Sequence, residues 1–304
     1  MIRYTSGTAF RRALEDRLNQ LALSSNLRMT RLRKIVVFQR VLARLLIVAP
    51  DQWILKGGLA LDFRLSGHPG ARPRATKDMD LACLGGIDSA DVDFRRIQEL
   101  ELADYFEFDI RRLNIEQEDK TTGEPAVRYQ VRVILAGRVF EQVLIDVGFV
   151  PPATPSEMVT GLDLLGFAGL PPVRVPTLLV QIHVAEKVHA YTRHYGPDDS
   201  LSSRPKDLID LVLLANQEQF VAQELRAALE QTFSSRGTHP LPRELPPPPD
   251  DWARPYRTLA DEVGIVPDLL AGYQQMRAFL NPILCEGVDP SSRWNVANQR
   301  WIAP

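Results

Sequence analysis

Cysteine is almost absent: Cys83 and Cys285 are the only two in 304 residues. Each lies in an apolar segment, so neither a disulfide framework nor a Cys-rich zinc site is supported, and two buried, inert thiols are expected. Histidine is also scarce, and His183 and His189, six residues apart, lack metal-ligand spacing, which argues against zinc. No apolar run reaches the roughly 18 residues needed to cross a bilayer, and no apolar signal segment follows a basic start. These absences predict a cytoplasmic protein with no membrane partner.

What is present fits a globular chain. Hydrophobic residues make up 45% and charged residues 24%, enough for a core and for roughly two domains on a scale of about 150 residues each. The net charge of −2 conceals an asymmetry, because residues 1–50 hold ten basic side chains against Glu15 and Asp16. Ala9, Phe10, Leu14, Leu18 and Leu21 predict one amphipathic helix there, and Leu32, Ile35, Val36, Phe38, Val41, Leu42 and Leu45 a second. Such basic helices attract a polyanion such as RNA. An ordinary solvated face, or one covered by an acidic protein partner, are the competing readings.

The next hundred residues carry the most chemistry. Trp53-Ile54-Leu55 reads as a short buried strand, Lys56-Gly57-Gly58 as a sharp turn, and Leu59 to Leu65 as an amphipathic helix whose N-terminus can receive phosphate. Then TKDMDLACL, residues 76–84, sets Asp78 and Asp80 on one face of a strand while Met79 and Leu81 point to the other. Two adjacent carboxylates repel unless something positive lies between them, and a hard divalent cation carrying substrate phosphates answers that need. Chance occurrence at a solvated strand end is the alternative. Residues 106–115, 126–135 and 139–150 alternate or run apolar as strands, with Gly137 at a turn. Asp146 interrupts the last of these, and a buried carboxylate needs a partner or a cation. It is therefore a candidate third carboxylate beside Asp78 and Asp80, or else a strand-end cap.

Prolines punctuate the chain after Val150, placing a boundary near residue 152. The expected divisions are basic helices over 1–50, an α/β core with a mixed sheet over 51–152, and a helical domain over 153–304. A helix predicted to begin near Pro176 carries Lys187 in AEKVHAY. Another opens with SRPKDLIDLVLL, where Arg204, Lys206, Asp207 and Asp210 crowd the first turns and the two carboxylates share a face. A solvated lysine and ordinary acidic charge at a helix start are the bland readings.

In this order, KGGLAL, TKDMDL, AEKVHAY and RPKDLIDL resemble the four motifs of the AbiEii toxin family, nucleotidyltransferases that include the MenT toxins. The resemblance covers about residues 53–216. It implies a polymerase-β-type nucleotidyltransferase core followed by a helical domain, acting as the toxin of a type IV toxin-antitoxin pair with a cognate antitoxin as partner. Carried over residue by residue, Gly57 and Gly58 would form the phosphate turn, and Asp78 and Asp80 would hold Mg²⁺ or Mn²⁺; Asp146, read from its own strand, is expected to share a second ion, and Lys56 to lie at the nucleotide. Lys187 would contact the NTP, and Asp207 or Asp210 would complete the active site or position the acceptor; Arg204 and Lys206, in the same helix opening, are further candidates for nucleotide contact. The implied reaction is in-line transfer of a nucleotide to RNA, with the 3′ end of tRNA as acceptor and a block of translation as result.

Two departures bear on this. Related enzymes often place Ser or Thr after the glycines, where this chain has Leu59, so backbone N–H groups must hold phosphate. The segment before the acidic pair carries Arg72, Arg74 and Lys77, of which Arg74 and Lys77 are the preferred phosphate contacts. A small-molecule or protein acceptor is the alternative enzymatic reading, and a degenerate nucleotide- or partner-binding protein is the non-enzymatic one. A glycosyltransferase shares Asp-x-Asp but has no use for the glycine turn or the later motifs.

Overall fold

The computed structural model describes residues 4–25, 27–66, 68, 74–118, 125–195, 200–201 and 204–303. Arg72, named above, lies outside the described residues, as does Arg3, one of the ten basic residues of 1–50. The chain forms two compact units. The first comprises Met1–Arg64, Ala75–Asp119 and Gly123–Leu178, and the second Leu65–Arg74, Lys120–Thr122 and Leu179–Pro304.

The first unit opens with helices α1 (Gly7–Ser25) and α2 (Met29–Val48), followed by strand β1 (Trp53–Lys56), helix α3 (Gly57–Leu65), strand β2 (Asp78–Cys83) and helix α4 (Ile87–Glu99). Strands β3 (Phe106–Glu118), β4 (Pro125–Leu135), β5 (Arg138–Phe149), β6 (Ser156–Thr160) and β7 (Arg174–Leu178) complete it. They form one seven-stranded mixed sheet in the order β3-β4-β5-β2-β1-β7-β6, in which β2 runs parallel to β5 and β1 parallel to β7. Strand alternation separates the two faces. Met79, Leu81 and Cys83 of β2, with Val143, Ile145 and Val147 of β5, enter a core shared with Leu32, Ile35 and Val36 of α2 and Phe94 of α4. The residues between them, including Asp78, Asp80 and Asp146, point to the opposite face. Trp53 ties β1 to α4 by donating from Nε1 to Asp93 at 3.1 Å.

The mixed sheet behind two N-terminal helices agrees with expectation, but three local readings differ. The sheet extends past residue 152, because β6 and β7 pair antiparallel and β7 joins β1. Pro176 lies within β7 opposite Met158, and the helix expected to begin there starts at Val180. Val175, Thr177 and Leu178 are all buried, and their burial in the sheet outweighs the local preference of proline for a first helical turn. Cys83 is buried as expected, whereas Cys285 is exposed just past a helix end.

The basic helices also differ from a solvated cationic surface. Arg44 is wholly buried and binds Asp104 through both terminal nitrogens at 3.0 and 2.8 Å, and Arg40 meets the same carboxylate at 2.6 Å. Arg31 is buried against Asp62 at 2.9 Å, Arg33 pairs with Glu15, and Arg11 donates to three carbonyls at the end of β4 and the start of β5. Arg12, Arg17 and Arg28 are exposed. Much of the charge excess in this region neutralises interior carboxylates that arrive from distant sequence.

The second unit is mainly helical: α5 (Val180–Thr192), α6 (Pro205–Gln217), α7 (Ala222–Arg236), α8 (Ala253–Val263) and α9 (Leu269–Leu284). Short ladders pair β8 (His194–Tyr195) with β9 (Ser200–Leu201), and β10 (Arg293–Asn295) with β11 (Arg300–Ile302). Helix α5 is buried on nearly all sides and packs on α6 and α7. Trp294 and Trp301 serve as packing residues, stacking around Phe279 and donating to the carbonyls of Ala215 and Phe279. Among the described residues no helix is long and apolar enough to cross a membrane.

Asp104 is the anchor of the segment entering β3, and its neighbours Ala103 and Tyr105 both adopt positive φ, 51° and 61°. Burial pushes its carboxyl pKa up, but Arg44 and Arg40 more than reverse this and hold it below the ordinary range. Its stabilisation is therefore complete above the ordinary carboxylate range and is lost as pH falls through the depressed folded value. Asp104→Ala, which strands two buried guanidinium groups, is expected to cost about 3–5 kcal/mol in urea unfolding.

Candidate active site

The ladder registers build the acidic site. Lys56 of β1 lies opposite Asp80 of β2, Asp80 opposite Asp146 of β5, and Asp146 opposite Arg128 of β4. Residues opposite each other in a ladder share a face, so four adjacent strands carry a transverse row: lysine, aspartate, aspartate, arginine. Neighbouring strands lie about 4.8 Å apart, close enough for the two central carboxylates to repel strongly. Asp78 stands two residues before Asp80 on the same face, opposite Leu144.

Each end of the row supplies positive charge. Lys56 is buried. Arg128 donates from Nε to Asp146 Oδ1 at 2.5 Å and from Nη2 to Oδ2 at 2.6 Å, a bidentate pair in which both side chains are largely shielded. The bond to Asp146 is the main cause raising the Arg128 pKa; burial opposes it, and the charges of Asp146, Asp78 and Asp80 reinforce it.

Gly57 closes the site from the β1–α3 turn. Its φ is +65°, and a Cβ placed there would overlap the Asp80 carboxylate, reaching within 2.7 Å of Cγ and 2.9 Å of Cβ. The glycine is required both by conformation and by the closeness of Asp80. Gly58 follows in the first turn of α3, and Leu59 is buried in the core, so phosphate-binding capacity at this turn resides in backbone N–H groups. Lys77 is exposed, with its carbonyl accepting from Lys34 Nζ at 3.1 Å.

The remaining predicted residues gather in the second unit. Lys187 Nζ lies 2.7 Å from Asp210 Oδ2 and 3.4 Å from Asp207 Oδ1. Arg74 grips Asp210 with two bonds of 2.9 Å, and Arg204 Nε lies 2.9 Å from Asp207 Oδ2. Asp207 and Asp210 are almost completely enclosed. Burial alone would raise the Asp210 pKa, but Arg74 and Lys187 outweigh it and drive the value down. Two buried carboxylates thus hold Lys187, Arg74 and Arg204, with Lys206 adding a fourth cation nearby. The end of α5 is steadied by hydrogen bonds of 2.8 Å between His189 and Thr238 and between Thr192 and His239.

Asp78 and Asp80 suit a hard divalent cation. Mg²⁺ is commonly held by one or two carboxylates together with substrate phosphates, and these two are oxygen donors on one strand face. Asp146, expected as a third ligand, lies beside Asp80 but gives both oxygens to Arg128. Among the described residues, no group of three or more His, Cys, Asp or Glu is placed to hold a metal ion. Arg128 itself was missed in the sequence. The only signal was its position on the polar side of an alternating strand, shared with Gln130 and Arg132.

The family described as "Nucleotidyl transferase AbiEii toxin, Type IV TA system" matches the chain over residues 40–294. Among solved structures, MenT4, a nucleotidyltransferase toxin from Mycobacterium tuberculosis H37Rv, has a similar fold. Its TM-score is 0.50 at 17% identity, with 84% of each chain covered. No curated protein matches by sequence.

Two variants probe this construction. Gly57→Ala is expected to destabilise the protein by about 1–3 kcal/mol through backbone strain alone, read by chemical denaturation, and to displace Asp80. Burial, followed by repulsion from Arg204, Arg74 and Lys187 against the pull of Asp207, lowers the Lys206 pKa from 10.5 to about 8. The folded state then binds fewer protons than the unfolded one between those values, so this residue's contribution to stability rises with pH across the window. Lys206→Met should accordingly melt at a higher temperature than the parent at pH 7, with the difference shrinking between about pH 8 and 10.5.

Proposed function

The chain belongs to the AbiEii family of nucleotidyltransferase toxins of type IV toxin-antitoxin systems, and we propose that it transfers a nucleotide from an NTP to the 3′ end of tRNA, blocking translation. The observation that carries this reading is the close packing of Asp80 on Gly57, beside the N-terminus of α3. It brings a cation-binding carboxylate next to backbone donors suited to phosphate. Asp78 and Asp80 hold Mg²⁺ or Mn²⁺, which neutralises triphosphate charge when bound. Gly57 makes room for the Asp80 carboxylate at the turn, Gly58 follows in the first turn of α3, and Lys56 and Arg128 limit repulsion among the carboxylates.

Within the second unit, Lys187, Arg74, Arg204 and Lys206 form a cationic cluster of the kind that receives nucleotide phosphates. Asp207 and Asp210 act by positioning those cations, since both are enclosed and engaged by them. Transfer forms a bond between an acceptor hydroxyl oxygen and the α-phosphorus as the bond to the leaving pyrophosphate breaks and the hydroxyl proton passes to solvent. Such chemistry depends on positioning and electrostatic stabilisation, which fixed cations provide. The family further implies a cognate antitoxin as partner.

A small-molecule or protein acceptor is the second reading. It is favoured by the burial of Arg31, Arg40 and Arg44, which leaves less cationic surface on the N-terminal helices for RNA.

One assay separates these. Purified protein is incubated with Mg²⁺, each labelled NTP in turn, and total tRNA, beside Asp80→Ala and Lys187→Ala. Label is expected in tRNA with the intact protein, and each variant should lose about 10²-fold or more of that activity. Label on protein or on a small molecule selects the second reading, and full activity in Asp80→Ala rejects the assigned site.

A further inference from the structure

Asp146 differs from the other two carboxylates in what surrounds it. Both of its oxygens accept from one guanidinium, at 2.5 and 2.6 Å, and both partners are about 13–14% exposed. The contact rests on a direct β4–β5 register pair, and β5 is in turn registered with β2, so the geometry is set by continuous ladders. We infer that Arg128 is a permanent internal counter-ion which removes Asp146 from the metal-ligand set and leaves Asp78 and Asp80 as a site for a single divalent cation.

The inference rests on the assignment of Asp78 and Asp80 to a cation. An arginine remains charged at every pH a folded protein experiences and cannot dissociate as a metal ion can. Its planar fork takes one lone pair of each carboxylate oxygen, so a metal ion at Asp146 would have to share both oxygens with a fixed cation. The pull of Asp78 and Asp80 on Arg128 places it within electrostatic reach of the whole cluster. Arg128 is therefore a positioning residue. It orients Asp146 and supplies the charge that a second ion would otherwise bring.

Mn²⁺ binding to the full chain without nucleotide, followed by electron paramagnetic resonance and calorimetry, tests this without reference to turnover. The intact protein should bind one equivalent, and Asp146→Asn should still bind one equivalent, weakened by on the order of tenfold through the loss of a nearby charge that belongs to no ligand. Arg128→Met should bind on the order of tenfold more tightly or take up a second equivalent, as a carboxylate is released and a cation removed. Arg128→Lys, which keeps the charge, should restore the parent stoichiometry; its melting curve and that of Asp146→Asn report folding. Two equivalents in the parent falling to one in Asp146→Asn would overturn the inference, as would unchanged binding in a folded Arg128→Met. Asp80→Asn separates the premise: retained Mn²⁺ there defeats the assignment of Asp78 and Asp80, whereas loss there with retention in Asp146→Asn supports both statements.

Discussion

Like charge held in register is the constraint on which the acidic site depends. β2 and β5 run side by side at the middle of the sheet and set Asp80 directly opposite Asp146. At a strand spacing of about 4.8 Å, two carboxylates outside bulk water repel by several times their repulsion in water. The flanking strands answer with Lys56 on one side and Arg128 on the other. The sheet thereby fixes which carboxylate is engaged internally and which faces the glycine turn. Asp80 can approach Gly57 closely because no side chain intervenes, and that closeness brings a metal-type ligand to the start of a helix.

The second unit solves a related problem in reverse. Asp207 and Asp210 are buried, and each would be costly alone, but Lys187, Arg74 and Arg204 are drawn onto them. Four basic side chains around two acids leave the cluster positive. The carboxylates hold these cations in place, so that under the proposed function a polyphosphate would meet charge already ordered. Such preorganisation suits nucleotidyl transfer, whose rate depends on charge already in place.

The N-terminal helices show how non-local pairing takes up charge that composition counts as surface. Their charge excess read as a surface for a polyanion, yet Arg31 meets a carboxylate 31 residues away and Arg44 one 60 residues away. Nothing local to α2 announces those partners. Pro176 teaches a similar point: a first-turn preference worth little on its own yields to a strand whose neighbours bury Val175 and Leu178. Local preference decided well where the pattern was strong, as in the helical periodicity of α1 and α2 and the alternation of β3, β4 and β5.

By itself the sequence determined the elements and the chemical candidates, because both follow from short-range spacing. Two carboxylates at i and i+2 share a strand face wherever the strand lies, and Asp207 and Asp210 share a helix face for the same kind of reason. Paired glycines before an apolar run mark a turn and a helix start. Tertiary structure alone decided which charges meet. The β4–β5 register gave Asp146 to Arg128, and the packing of α5 on α6 gave Lys187 to Asp210. It also turned several surface-seeming arginines into interior ion pairs. The physical reason is that ladder register and helix packing bring together residues tens of positions apart, and a charge takes its role from the neighbour it meets in the fold.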